Sequence, residues 1–307
     1  CGEKYSPLKG TNHYTPPDSG AGLHTGVRCH IKGMRIIKTM AAPTARNNTL
    51  LPAVLAVLFI IAAVSWLSFA PPGLLGKADA LGYAVCHRIE ERSFMIGGRP
   101  LPLCARCTGI FLGALFGMLY QLPQGRRAQF PSLRFSLVLG LFMLVFAVDG
   151  VNSFLKFIPG FPGLYEPSNP LRLFTGLGVG VTVAVVLYPL FNQTVWVRAA
   201  DLPAIRSWRQ LGGLVLLAAL LAALVLSGIP ALLYPLALLS GGTVLLLLGM
   251  CYTVLWIIIT RSENTYERLA QLWPAAAAGF TVALLQVLTV DALRLHLTGT
   301  WGGLPMP

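Results

Sequence analysis

Residues 211–259, LGGLVLLAALLAALVLSGIPALLYPLALLSGGTVLLLLGMCYTVLWIII, form the stretch that decides the fold. It contains no Asp, Glu, Lys or Arg, and its only break is the short sequence Ser227-Gly228-Ile229-Pro230. A helix of about 20 residues crosses a hydrocarbon core roughly 30 Å thick. Nearly fifty apolar residues therefore require two crossings, because lipid cannot satisfy the polar groups of irregular backbone. The stretch predicts two transmembrane helices, at about 211–226 and 230–259.

The same apolar character extends over most of the chain. Hydrophobic residues make up 55% of the sequence and charged residues only 11%, with a mean hydropathy of +0.69. A soluble domain usually has about 25% charged residues. The composition thus predicts an all-α polytopic integral membrane helix bundle of about seven transmembrane helices. The other five spans are expected at about 50–70, 104–122, 133–154, 171–191 and 269–290.

The positive charge predicts how the bundle is oriented. The chain has 23 Lys and Arg residues against 11 Asp and Glu, a formal net charge of +12. Most of the basic residues lie in short loops next to apolar spans, as the positive-inside bias requires. This distribution favours an N-in, C-out orientation in a lipid bilayer and argues against nucleic acid as the partner.

Three regions are predicted from the change in composition. Residues 1–49 are polar and rich in Gly, Pro, Thr and His, and Met40 resembles a natural start just before the first span. We therefore expect 1–49 to be a disordered or non-native N-terminal extension. Residues 50–298 should form the transmembrane bundle, with an outward-facing loop at 71–107, and residues 299–307 a C-terminal tail.

The loop between the first two spans holds the candidate chemistry, in the stretch CHRIEERSFMIGGRPLPLCARCTG from Cys86 to Gly109. The spacing C-x17-C-x2-C, with a histidine after the first cysteine, would suit zinc or another transition metal ion. The candidate ligands are Cys86, His87, Cys104 and Cys107. Neighbouring side chains project in different directions, so three thiolates with one open position fit better than a site that also uses His87.

Thiol redox chemistry is a second interpretation of the same cysteines. Cys104 and Cys107 stand where span two begins, and a helix N-terminus with Arg99 and Arg106 nearby would stabilise a thiolate. On an oxidising face the pair could form a disulfide, either structural or exchanging. Whatever the reaction, the candidate catalytic residues are Cys104, Cys107 and Asp149.

A third interpretation uses the arginines and needs no cysteine chemistry. Guanidinium groups near a helix N-terminus could hold an anionic lipid headgroup or a small anionic ligand, as in a transporter or lipid-handling protein. Asp149, expected beside Arg106 or Arg172, would then be a structural ion-pair partner or a proton-handling carboxylate. A non-catalytic assembly subunit, whose cysteines only staple the loop, is a further alternative. The candidate anion-binding residues are Arg88, Arg92, Arg99, Arg106, Asn169 and Arg172.

The predicted orientation brings the remaining polar residues to the same side as this loop. Span three would end near Asp149, span four would begin near Arg172, and span seven would end near Arg294. Ionisable residues at membrane depth are costly and usually face a partner or a cavity. We therefore expect one outward-facing polar site.

The pattern CHRIEERSFMIGGRPLPLCARCTGIFLG resembles the signature of a bacterial and archaeal membrane family, domain of unknown function 2085. The later elements Asp149-Gly150, Asn169-x-x-Arg172 and Thr175-Gly176 are also similar to that family, so the resemblance covers roughly residues 75–190. It implies a polytopic membrane protein and supplies no known reaction, substrate or cofactor. We expect the protein to be integral to the cytoplasmic membrane of a prokaryote.

Overall fold

The computed structural model of the protein describes residues 50–156, 158 and 163–303. The predicted N-terminal extension and the last four residues of the predicted tail lie outside this part of the chain. Eight α-helices and two short pairs of strands occur within it. The helices are α1 Leu50–Phe69, α2 Leu74–Val85, α3 Ala105–Gln121, α4 Leu133–Leu155, α5 Asn169–Val195, α6 Trp208–Leu226, α7 Pro230–Ile259 and α8 Leu269–Thr298.

Seven of these helices are long and apolar enough to cross a membrane, and α2 is the exception among the described residues. The predicted all-α fold class with seven spans is therefore confirmed. The span predicted at 230–259 matches α7 residue for residue. The last span is longer than predicted, because α8 continues through Asp291 and Arg294 to Thr298.

Helix α2 lies in the segment that the hydropathy pattern assigns to a loop. Its twelve residues span only about 18 Å, too short to cross a bilayer. Small residues allow it to pack closely: a Cβ at Gly82 would lie 2.0 Å from the Pro102 carbonyl oxygen, and Ala78 faces Gly241 of α7. Because α2 is largely buried in this way, it forms part of the bundle.

Helices α3 and α5 are in backbone contact along one glycine-lined face. A Cβ at Gly176 would lie 2.2 Å from the Arg106 carbonyl oxygen, and one at Gly180 would lie 2.2 Å from that of Ile110. Glycines spaced four apart on both helices permit this approach, as small residues do between membrane helices. The facing residues are Gly109, Gly113 and Gly117 on α3, and Gly176, Gly180 and Ala184 on α5.

The segment between α2 and α3 is folded against one end of the bundle. It contains a 3-10 turn, Glu90–Arg92, and an antiparallel pair of strands, β1 Met95–Ile96 and β2 Arg99–Pro100. Gly97 and Gly98 connect the two strands with φ angles of 56° and 80°, a conformation that suits a two-residue hairpin turn. We call this end of the bundle, which carries Cys86, Cys104 and Cys107, the cysteine end.

At the opposite end, two further strands connect the helices. Strand β3 Arg127–Gln129 pairs in parallel with β4 Ala200–Pro203. The N-in, C-out orientation, which would put the cysteine end outside, stays a prediction.

Candidate functional site

Three thiols meet at the cysteine end. Cys104 is the residue just before α3 and Cys107 lies in the first turn of that helix, so their spacing of three places both on one side of the helix start. Cys86 follows the last residue of α2. The three Sγ atoms lie within 4.8 Å of one another. The packing of Gly82 in α2 against Pro102, just before α3, thus closes the seventeen-residue gap in the sequence.

The backbone is arranged around the sulfur of Cys86. The N–H groups of Arg88 and Cys104 both donate to Cys86 Sγ, each at 3.4 Å. Arg88 has a φ of 54°, which costs a non-glycine residue roughly 1 kcal/mol. Two N–H donors favour a sulfur that carries negative charge, as hydrogen bonds do at metal-bound thiolates.

The thiols differ in how readily they ionise. The pKa of Cys104 lies well below its usual value, because the thiols of Cys107 and Cys86 donate hydrogen bonds to its thiolate. The pKa of Cys86 is raised to about 11, chiefly because its proton is engaged in the hydrogen bond with Cys104. Of these two thiols, Cys104 is therefore the one that ionises more readily.

His87 does not join the three cysteines. Its side chain is exposed, and it is absent from the group whose ligand atoms converge. Its carbonyl oxygen instead accepts a hydrogen bond from Arg294 Nη2 at 3.0 Å. Neighbouring residues at the end of α2 project in different directions, so Cys86 and His87 do not face the same site, as expected from their adjacent positions in the sequence.

Arg294 holds the end of α2 in place. Its Nη1 donates to the carbonyl oxygens of Tyr83 and Cys86, both at 2.6 Å, and its guanidinium lies over the Tyr83 ring. A cation at the C-terminus of a helix satisfies carbonyl groups that have no partner within the helix. Sequence reasoning named Arg294 only as a polar residue near the last span, since this role depends on a helix that was not predicted.

Asp79 forms ion pairs with two of the arginines that were candidates for anion binding. Arg88 Nη2 pairs with Asp79 Oδ1 at 2.8 Å, and Arg99 pairs with the other oxygen of the same carboxylate. Burial raises the pKa of Asp79 even though both guanidinium groups act to lower it. Arg88 also donates to the Trp301 carbonyl oxygen at 2.9 Å. Arg88 and Arg99 thus connect α2 to the loop and to the residues after α8.

Asp149, fully buried near the end of α4, is the centre of a second network. Arg106 of α3 pairs with its carboxylate and donates to Ser153 Oγ at 3.2 Å. The Tyr165 hydroxyl donates to Asp149 Oδ1 at 3.0 Å, and Asn152 Nδ2 donates to the Tyr165 carbonyl oxygen at 2.9 Å. Of the two partners expected for Asp149, the geometry selects Arg106.

Arg172 and Asn169 lie at the start of α5 beside this network. Arg172 is 7% exposed, and its Nη1 donates to Asn169 Oδ1 at 2.9 Å. Asn169 Nδ2 in turn donates to the carbonyl oxygens of Glu91 and Ser93, at 3.2 Å and 3.4 Å. Arg92 of the same turn donates to the Ser153 carbonyl oxygen at 3.5 Å. The residues that the predicted orientation grouped on one side therefore lie around the cysteines.

Comparison with known proteins identifies a family of membrane proteins that the chain resembles at this end of the bundle. The sequence profile of a family described as "Predicted membrane protein (DUF2085)" matches residues 86–186. An uncharacterised protein of Methanocaldococcus jannaschii is 32% identical over 112 residues, which are 36% of this chain and 67% of that protein. An uncharacterised protein of Methanothermobacter thermautotrophicus is 36% identical over 104 residues, 33% of this chain and 83% of that protein.

The chain belongs to the DUF2085 family. No solved structure matches it. The DUF2085 match runs from Cys86 into α5, so it includes the three cysteines, the Asp149 network and Arg172. The protein is accordingly an integral membrane protein, and the two relatives named above come from archaea.

Proposed function

We propose that the cysteine end binds a thiophilic transition metal ion, with zinc as the first choice, through Cys86, Cys104 and Cys107. The observation that supports the proposal is the convergence of the three Sγ atoms within 4.8 Å. Zn–S bonds of about 2.3 Å in tetrahedral geometry set the sulfurs roughly 3.8 Å apart. Side-chain shifts of about 1 Å would therefore close the cluster around an ion. Three protein ligands leave the fourth position for a ligand from outside.

The surroundings of the cysteines suit the negative charge of a metal ion bound by three thiolates. Three thiolates and a divalent ion carry a net charge of −1, and Arg92 and Arg172 both lie close enough to Cys104 to interact electrostatically. On the other side the cysteines pack into an apolar cluster that includes Leu103, Phe111 and Trp301. An apolar wall restricts water and strengthens the electrostatic interactions inside a site.

Metal binding explains the set of three cysteines better than disulfide exchange does. A disulfide uses two sulfurs joined at about 2.05 Å and would leave the third without a role. The two backbone N–H groups that donate to Cys86 also suit a permanently ionised ligand more than a sulfur that alternates between bonded and free. In this proposal the protein lies in the cytoplasmic membrane of a prokaryotic cell, with the cysteine end outside.

The test is metal analysis of the full-length protein purified in detergent. We expect about one equivalent of zinc or another thiophilic metal per chain, and its loss in Cys86→Ser, Cys104→Ser and Cys107→Ser. Cys251→Ser is the matched control, because Cys251 is exposed on α7 and lies outside the cluster. It should retain the metal.

Counting free thiols on the same samples separates the alternatives. If the protein contains no metal and two of the three clustered thiols do not react, those two cysteines form a disulfide and the metal-site proposal is wrong. Metal-free protein in which all three react freely would overturn the proposal and leave the arginine network as the functional feature. Equal metal content in Cys104→Ser and Cys251→Ser would also overturn it.

A further inference from the structure

Beside the cysteines, three guanidinium groups gather at one point of the cysteine end. Arg92 and Arg106 both donate to Ser153, the first to its carbonyl oxygen at 3.5 Å and the second to its Oγ at 3.2 Å. Arg172 interacts electrostatically with both arginines and with Cys104. These groups come from the loop, from α3 and from α5, so only the folded bundle brings them together.

The gathered charge is only partly neutralised. Asp149 is the buried carboxylate of the group and pairs with Arg106. Glu91 also interacts with Arg92, but its side chain is exposed, where solvent and salt screen it. Within the described part of the chain the Asp149 carboxylate forms its ion pair with Arg106, so Arg172 adds positive charge beside the thiols.

Two of these arginines have buried donors without acceptors. The Nε atoms of Arg106 and Arg172 are both buried and make no hydrogen bond within the described part of the chain. Arg172 is itself only 7% exposed. An unsatisfied buried donor is costly, and more so on a charged group, so a ligand that accepts hydrogen bonds here would be favoured.

Asn169 positions the arginines with respect to one another. Its Oδ1 accepts from Arg172, and its Nδ2 donates to the carbonyl oxygens of the turn that carries Arg92. Several guanidinium groups held in a fixed arrangement suit a tetrahedral anion with several acceptor oxygens. A single carboxylate, in contrast, is satisfied by one bidentate arginine.

We infer that Arg92, Arg106 and Arg172 form a phosphate-binding site next to Cys104, with Asn169 as its positioning residue. The phosphate group belongs either to a free anion or to a lipid headgroup. This inference deepens the proposed function, because a phosphate bound here would lie beside the thiolate cluster and its open coordination position. The site is nevertheless built from arginines and does not require the metal.

The experiment uses full-length protein in nanodiscs of phosphatidylcholine. Inorganic phosphate is titrated by calorimetry, and in a second arm phosphatidic acid is added to the bilayer and the thermal midpoint of unfolding is followed. We expect one of the two probes to bind saturably. Affinity should fall about tenfold or more in Arg172→Gln and in Arg106→Gln. Binding by inorganic phosphate identifies a free anion, and binding by phosphatidic acid alone identifies a lipid headgroup.

Two variants make the result specific. Arg99→Gln is the matched control, because Arg99 lies at the same end but pairs with Asp79, and it should bind like the unmodified chain. Arg172→Lys keeps the charge while it removes the planar donor arrangement, so it should fold normally and still bind about tenfold more weakly. Equal affinity in Arg172→Lys, Arg172→Gln and the unmodified chain would overturn the inference.

Metal analysis of the same samples separates this inference from the proposed function. Protein that holds the metal but binds neither probe refutes the phosphate site alone. Cys104→Ser protein that has lost the metal but still binds phosphate supports the phosphate site on its own. If both probes bind Arg99→Gln as weakly as Arg172→Gln, the charge is general to the surface and no specific site exists.

Discussion

The glycine-lined contact between α3 and α5 gives the sharpest prediction about the fold. These two helices carry Arg106 and Arg172, so their separation sets the geometry of the candidate site. Replacing Gly176 by alanine adds one methyl group at one of the two closest points of the contact, the other being Gly180. The new Cβ would lie 2.2 Å from the Arg106 carbonyl oxygen and 3.2 Å from the Ile110 nitrogen. Non-bonded carbon and oxygen atoms need about 3.4 Å, so the helices must separate by about 1 Å.

The expected cost follows from that displacement. Overpacking a tight contact destabilises a protein by about 1–3 kcal/mol. The obstacle here is a backbone carbonyl, which cannot rotate away as a side chain can, so the upper part of that range applies. Alanine returns roughly 1 kcal/mol through its higher helix propensity. The net loss should be about 2 kcal/mol, which corresponds to a decrease of about 4–8 °C in the thermal midpoint.

The assay is loss of helical circular dichroism on heating, with the detergent and lipid content held constant. Gly140→Ala is the control, because Gly140 lies inside α4 and an added Cβ would meet no atom within 4 Å. Its midpoint should stay the same or rise slightly. A midpoint for Gly176→Ala equal to or above that of Gly140→Ala would refute the claim that backbone contact fixes the spacing of α3 and α5.

Two further predictions concern the charges at the cysteine end. Asp149→Asn removes the buried partner of Arg106 and should cost about 3 kcal/mol of stability in the same thermal assay. Glu166→Gln is the control, because the Glu166 side chain is 86% exposed, and it should change the stability by less than about 0.5 kcal/mol. Equal effects of the two would show that burial of the Asp149 pair is unimportant. Metal affinity should rise by at least about tenfold per pH unit between about pH 6 and about pH 8, because binding must displace the proton that Cys86 holds with a pKa of about 11. Competition with a chromophoric chelator measures this slope, and a flat profile would argue against thiolate ligands.

The hydropathy pattern was sufficient to predict the spans because crossing a membrane is a property of each segment. Local composition decides whether twenty residues can reside in lipid, whatever their neighbours are. The pattern missed the short helix α2, and it ended the last span too early. The last span was predicted to stop at 290, yet α8 continues to Thr298, with Asp291 fully buried and Arg294 donating to carbonyl oxygens at the end of α2.

The sequence predicted most of the residues at the candidate site, but it did not predict which of them contact one another. The spacing of the cysteines in the sequence indicated a cluster, and the structure brings Cys86, Cys104 and Cys107 together. It keeps His87 apart, and it pairs Arg88 and Arg99 with Asp79, a residue that the sequence analysis did not single out. Asp79 lies on α2, a short helix rich in small residues, whose burial depends on contacts with α7, α8 and Pro102.

The sequence by itself determined that this chain is a seven-span membrane bundle with three cysteines near one end, since hydropathy and local spacing are readable without a partner segment. Only the tertiary structure decided which arginine pairs with which carboxylate. Those pairings join residues up to 43 positions apart, as in the contact between Arg106 and Asp149. They depend on which segments the folded chain brings together, and close approaches such as that of α3 to α5 occur at glycines that hydropathy does not weigh.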